Sequence, residues 1–179
     1  MSEFTRHTLE SAPQDSRPLL ESAKADYGMI PNLLAVLAES PGTLEAYQKL
    51  NQLVLDSSFN KEEITVLWQS INVEHDCHYC QPAHSAIARQ MGVSEQIDQA
   101  LREKQPLDDE KLEALRTFTL ATVRERGAVG KEDLAAFRKA GYDQRQVLEV
   151  VLAVSQKTIS NYINNMADTP VDEPFKAFA

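Results

Sequence analysis

The sequence is poor in the residues that build disulfide or cluster proteins: 179 residues contain 2 cysteines, 4 histidines and 1 tryptophan. Two cysteines are too few for an iron–sulfur cluster, which needs more thiolates than one such chain holds. They are also too few for a small fold held together by several disulfides. A positive excess is missing as well. The 18 Lys and Arg stand against 27 Asp and Glu, a net charge of −9. That excludes the basic stripe of a nucleic-acid binder and disfavours an anionic membrane surface. No apolar run is long enough to span a bilayer, and Met1 to Pro18 lack the apolar core of a signal peptide. The default expectation is a cytoplasmic protein, where paired cysteines more often do redox chemistry or bind metal than act as staples.

Strand signals are nearly absent too. There is little period-two alternation, and the 6 glycines and 8 prolines fall between long helical patterns. The pattern predicts an all-α, single-domain helical bundle over residues 1–179, with a polar N-terminal segment at about 1–14 and an extended arm at about 169–179. A first helix runs from Asp15 to Tyr27, ended by Gly28. Pro31 opens a second with Leu33, Leu34, Leu37 and Ala38, and Ser40-Pro41 starts a third, since proline fits a first helical turn. Asn60 caps a fourth, with Glu62 and Glu63 in its first turn, reaching about Val73. A helix follows the cysteines and ends at Gly92; Ser94 caps the next, to about Glu103. Asp108 begins a long one, Gly130-Lys131 a short one, and Asp143 caps the last, apolar from Val147 to Ile159. Met91-Gly92-Val93-Ser94 and Ala140-Gly141-Tyr142-Asp143 share one punctuation, which common helix capping accounts for better than duplication.

What is there is one dense cluster of chemistry: Cys77-His78-Tyr79-Cys80, with Glu74 before it and His84 after it. Pro82 requires the local helix to begin near Tyr79 to Gln81. Cys80 therefore sits at a helix N-terminus, where free N–H groups and the dipole lower a thiol pKa. Cys77 lies in the preceding turn and can approach it. His84, four residues on, shares a face with Cys80 and can take or share its proton. Glu74 can hold a proton for Cys77; Glu63, about three turns earlier, shares its helix face. A disulfide across three residues closes a tiny loop and adds little stability, which disfavours a purely structural staple. Cys77, Cys80, His84 and His75 have zinc-ligand chemistry, but all lie in one short stretch, whereas structural zinc normally joins separated segments. No metal and no cofactor are expected. His75, His78, Asn161 and Tyr162 have no assignable role from sequence.

These residues resemble a known family. Glu74…Cys77-x-Tyr79-Cys80-x-x-x-His84, preceded by Lys61-Glu62-Glu63, is similar to the AhpD-like alkylhydroperoxidase branch of the carboxymuconolactone decarboxylase family. Asn161-Tyr162-x-Asn164 and Thr169-Pro170-Val171-Asp172-Glu173-Pro174 are similar to the C-terminus of its peroxidase-related members. The resemblance spans roughly residues 30 to 175. It implies an all-α fold and a thiol peroxidase working through a Glu, Cys, His and Cys proton relay, assembled as a trimer or hexamer. Cys80 matches the peroxide-attacking cysteine, Cys77 its disulfide partner and His84 the relay histidine. The implied partners are a hydroperoxide and an external dithiol reductant of lipoyl or thioredoxin type. Two positions depart from the family pattern. Thr65 stands where many members carry a Glu, twelve residues before the first cysteine, and His75-Asp76 replaces the usual Asn-Gly. Glu74 is then the first choice for the relay carboxylate and Glu63 the second. The other readings are a lactone decarboxylase-type enzyme, whose branch typically lacks this dithiol, and a non-enzymatic redox-sensing oligomer.

Overall fold

The structure, a computed structural model, describes residues 3–179; the first two residues of the polar N-terminal segment lie outside the described residues. Every regular element among the described residues is helical: α1 (Arg17–Tyr27), α2 (Asn32–Leu37), α3 (Pro41–Leu55), α4 (Lys61–Glu74), α5 (Cys80–Met91), α6 (Glu95–Arg102), α7 (Glu110–Arg124), α8 (Lys131–Lys139) and α9 (Gln144–Ala167). Short 3-10 helices cover Gln14–Ser16 and Glu173–Phe178.

The boundaries follow local chemistry. Asn60 Oδ1 accepts from the Glu63 N–H at 2.9 Å, and Glu63 Oε2 accepts from the Asn60 N–H at 2.9 Å. This reciprocal pair satisfies two orphan donors at the start of α4. Asp143 and Gln146 repeat it at the start of α9. Asp109, one residue beyond the expected Asp108, caps α7 by accepting from the Leu112 N–H. Helix α9 continues eight residues past Ile159, because no glycine or proline interrupts it before the left-handed Asp168 (φ 46°).

Helix α4 is the axis of the molecule. Every residue from Glu63 to Val73 is buried, and α5, α6, α7 and α9 pack around it. One core gathers Leu67, Trp68, Ile71, Leu115, Phe118, Phe137 and Val150 from α4, α7, α8 and α9. There Phe137 stacks between Phe118 (4.2 Å) and Tyr142 (4.4 Å between ring centroids). A second core gathers Leu20, Leu33, Leu34, Leu37 and Leu44 around Cys77, Tyr79, Cys80 and Ala83. The N-terminal third of the chain therefore roofs the cysteine turn.

Both terminal segments dock onto the bundle. The polar start is anchored to α2 and the turn after it: the His7 N–H donates to the Ala35 carbonyl, and Nε2 meets Glu39 at 2.6 Å. The expected extended arm holds the 3-10 helix Glu173–Phe178 and docks back. Asp172 accepts from the Tyr79 hydroxyl at 2.5 Å and from the Asn32 N–H at 3.1 Å, and Phe175 packs on the second core. Burial raises the Asp172 pKa, and the Tyr79 hydroxyl opposes that rise. Two prolines signalled an arm, but the acceptor that fastens it is a single aspartate whose partners lie 93 and 140 residues away.

Phe137 is buried and stacked between two aromatic rings. Phe137→Ala should therefore lower unfolding free energy by about 3–5 kcal/mol, read as an earlier midpoint in urea at unchanged slope.

Candidate active site

The turn that carries the cysteines is set by three backbone features. Helix α4 ends at His75, and Asp76 adopts a left-handed φ of 48°. Aspartate tolerates that region better than most non-glycine residues, so it can stand where the family pattern has glycine. The Cys77 N–H then bonds back to the Asn72 carbonyl at 3.0 Å. Cys80 is the first residue of α5, as Pro82 required.

Both thiols are free and buried, Cys77 at 0% and Cys80 at 2% exposure. The backbone N–H of Cys80 donates to Cys77 Sγ at 3.2 Å. The helix N-terminus thus serves the first cysteine, not the second as the sequence suggested. Cys80 is served by side chains instead: Asn164 Nδ2 donates to its Sγ at 3.2 Å. Burial pushes the Cys80 thiol pKa up, but the Cys77 thiol donating to it, the Lys157 ammonium, and the amides of Asn164 and Asn161 together bring it down to about 6. Cys77 is pushed up, by its hydrogen bond to Cys80 and then by burial. The pair is therefore polarised, with the anion on Cys80 and the proton on Cys77.

Lys157 is the residue the sequence reading missed. It lies on α9 at 0% exposure, with Nζ 2.8 Å from His84 Nε2. Burial lowers its pKa, while the charges of Cys80 and Cys77 raise it. His84 is held neutral, its pKa driven well below the ordinary value by burial and by the lysine charge. Its Nε2 therefore accepts from the ammonium, which puts the ring proton on Nδ1. That atom is buried without a partner. The Trp68 ring meets the imidazole edge-on at 4.7 Å and fixes its plane, and Trp68 is itself tied to Gln156 at 2.7 Å. A signal for this face was present. Lys157, Ser160, Asn161 and Asn164 fall at i, i+3, i+4 and i+7, a polar stripe on the inward side of a helix otherwise rich in valine and leucine.

A chain of amides fixes the asparagines. Gln69 donates to Asp98 at 2.6 Å and accepts from Asn72 at 2.9 Å; Asn72 accepts from Asn161 at 3.0 Å; Asn161 accepts from His75 Nδ1 at 3.0 Å. The chain crosses α6, α4 and α9 and ends at the surface. His75 and Asn161 are thus structural members of this chain. His78 is half-exposed, with Nε2 against the Thr169 carbonyl, and Tyr162 faces outward against the His75 ring.

The two carboxylates are placed elsewhere. Arg124 of α7 donates to Glu74 with two nitrogens at 2.8 and 2.7 Å, and the guanidinium holds the Glu74 pKa low. Glu63 closes the α4 cap and pairs with Lys111 at 2.9 Å. Neither makes a hydrogen bond or ion pair with a sulfur, with His84 or with Lys157; both are paired with cations of α7. Thr65 donates its hydroxyl to the Lys61 carbonyl at 2.9 Å. No group of three or more His, Cys, Asp or Glu side chains converges as for a metal among the described residues. Of the four zinc-type side chains, the two histidines have other partners: an ammonium stands against His84 and an amide against His75.

This arrangement has structural relatives. A peroxidase-related protein with an alkylhydroperoxidase AhpD core, from Ralstonia eutropha, superposes with a TM-score of 0.85 at 20% identity, over 97% of this chain and 94% of its own. The chain has the AhpD-like fold. A debrominase, solved with 2,3,4-tribromopyrrole, superposes with a TM-score of 0.82 at 19% identity, over 99% and 96%. A putative antioxidant defence protein from Agrobacterium tumefaciens gives 0.68 at 17% identity, over 76% and 94%. No protein-family model and no curated protein matches the sequence. In this chain the AhpD-like fold places a buried lysine beside the dithiol.

The pH dependence follows in sign. A Cys80 pKa near 6 means roughly nine-tenths thiolate at pH 7, lost as pH falls through 6. Thiolate absorbance at 240 nm should titrate near pH 6 and vanish in Cys80→Ser. In Asn164→Leu the midpoint should move upward, because a donor to the anion is gone.

Proposed function

We propose that the chain is a thiol-dependent hydroperoxide reductase whose dithiol cycles through a disulfide. The observation that carries this reading is the polarised pair: a thiolate on Cys80, with a protonated Cys77 three residues away and already hydrogen-bonded to it. Cys80 attacks the terminal peroxide oxygen, breaks the O–O bond and becomes a sulfenic acid, releasing an alcohol. Cys77 displaces water from that sulfur to form the disulfide. An external dithiol of lipoyl or thioredoxin type reduces it by exchange. Cys77 meets the requirements of the second step because its proton and its sulfur both face Cys80. The hydrophobic cluster that holds the two cysteines also contains Leu33, Leu34, Leu37, Tyr47, Ile159 and Ile163, so an organic hydroperoxide suits these surroundings better than a fully hydrated one.

The test is peroxide consumption with an added dithiol. Wild type should turn over many times, and free thiols should fall from two per chain to none after stoichiometric peroxide. Cys80→Ser should abolish consumption, while Cys77→Ser should consume one equivalent and stop. A single equivalent consumed by wild type in the presence of excess dithiol favours the redox-sensor reading instead. Tribromopyrrole, the compound bound by the debrominase of the same fold, serves as the comparison substrate, since a thiol pair holds the two electrons that a reductive debromination consumes. Glu74→Gln and Glu63→Gln should each change peroxide turnover by less than about threefold, against the ~100-fold or more expected when a general acid–base group is lost.

The assembly we propose is a homo-oligomer. Leu148, Val151, Tyr162 and Met166 project from one side of α9 and are each about half-exposed or more. An apolar stripe of this length marks an interaction surface. Light scattering at micromolar concentration should give a multiple of the 20.0 kDa chain mass, and Leu148→Glu with Met166→Glu should shift it to the monomer.

A further inference from the structure

The site holds a charge whose partner disappears during the proposed cycle. Lys157 is fully buried on α9, and its Nζ donates to a neutral ring nitrogen of His84 at 2.8 Å. Among the described residues no carboxylate forms an ion pair with it. The titratable groups facing it are Cys77, Cys80 and His84 from the cysteine turn and α5, and Tyr47 from α3, whose hydroxyl burial keeps protonated. Helix α4 presents the Trp68 ring to this region and no charge, and its carboxylates turn to α7. The negative charge that balances Lys157 is therefore the Cys80 thiolate. When that sulfur becomes a sulfenic acid or a disulfide it is neutral. An ammonium left alone in a dry core is costly, so the proton has to leave.

We propose that Lys157 is the acid of this site: its ammonium protonates the oxygen that leaves when the O–O bond breaks, and its amine recovers a proton when the disulfide is reduced. This rests on reading Cys80 as the attacking thiolate. The residue supplies as a cation what the family pattern supplies as a carboxylate at the position of Thr65. His84 is a positioning residue: it accepts one ammonium hydrogen and leaves the others to point elsewhere.

The steps balance. Cys80 S⁻ and the hydroperoxide give Cys80 S–OH and an alkoxide; the alkoxide and the Lys157 ammonium give an alcohol and a neutral amine. Cys77 S–H and Cys80 S–OH give the disulfide and water. An external dithiol then delivers two electrons and two protons, is itself oxidised to a disulfide, and restores Cys77 S–H, Cys80 S⁻ and the ammonium. Reduction thus takes up two protons even where Cys80 ends as a thiolate. If Lys157 kept its proton throughout, reduction would take up only one.

The proton count is measurable without peroxide and without a mutation. Wild-type protein is equilibrated between pH 7 and 8 with a thiol–disulfide couple of known pH dependence, with the Cys80 thiolate verified at 240 nm. The expected reduction equilibrium constant falls about 100-fold per pH unit, ~59 mV for this two-electron couple; about tenfold, ~30 mV, overturns the proposal. Lys157→Arg is the second arm, since a guanidinium keeps its proton. It should retain the 240 nm thiolate, show the tenfold dependence, and form the sulfenic acid about 100-fold more slowly in a single turnover. A single-turnover rate equal to wild type, with the thiolate retained, overturns the acid role. Because the equilibrium arm contains no peroxide, an absence of peroxide turnover would sink the peroxidase reading and the acid step with it, while a two-proton dependence would still show that Lys157 gives up its proton when the dithiol is oxidised.

Discussion

A lysine ammonium buried at zero exposure is the constraint on which the rest of the site depends. Taking such a charge out of water costs several kcal/mol unless an opposite charge and hydrogen-bond acceptors are supplied. Here the acceptor is His84 Nε2 and the opposite charge is a cysteine sulfur. The dependence runs both ways: the lysine lowers the Cys80 pKa, and the thiolate raises the lysine's. Each thus stabilises the charged form of the other.

That pair requires α9 to lie against the turn before α5 in one register. The amide chain from Asp98 through Gln69, Asn72 and Asn161 to His75 enforces this, since a shift of α9 by one residue would leave several buried amides unpaired. Asn164, one turn on from Asn161 along the same face, then meets Cys80. On the other side, the Tyr79 hydroxyl between the two cysteines is tied to Asp172 and so to the C-terminal segment and α2. The roof over the dithiol is therefore fastened by the residue that separates the two thiols, and geometry at the sulfurs is linked to the placement of the chain termini.

Much of this was legible in the residues. The caps at Asn60, Ser94 and Asp143, the left-handed glycines at 28 and 92 and the prolines at helix starts marked the helices, because caps and backbone restrictions act within a few residues. The cysteine pair and its place at the start of α5 could be read the same way, since the Cys-x-x-Cys spacing and Pro82 are local facts. Glu74 was not placed correctly by nearness in sequence. Its side chain leaves the end of α4 toward α7, and Arg124, 50 residues later, takes both oxygens.

The sequence by itself determined an all-α chain with one dithiol at a helix start, because helix periodicity, caps and the Cys-x-x-Cys spacing each act over a few residues. Only the tertiary structure decided which groups serve that dithiol. A lysine 77 positions after Cys80 and asparagines 81 and 84 positions after it reach the sulfur because α9 crosses the cysteine turn. Local spacing cannot encode that crossing: it arises where the inward faces of α3, α4 and α9 are buried together, and burial depends on the whole packed bundle. The same burial lowers the Lys157 pKa and opposes the thiolate; Cys80 becomes an anion because Cys77, Lys157 and the amides of α9 together outweigh the burial.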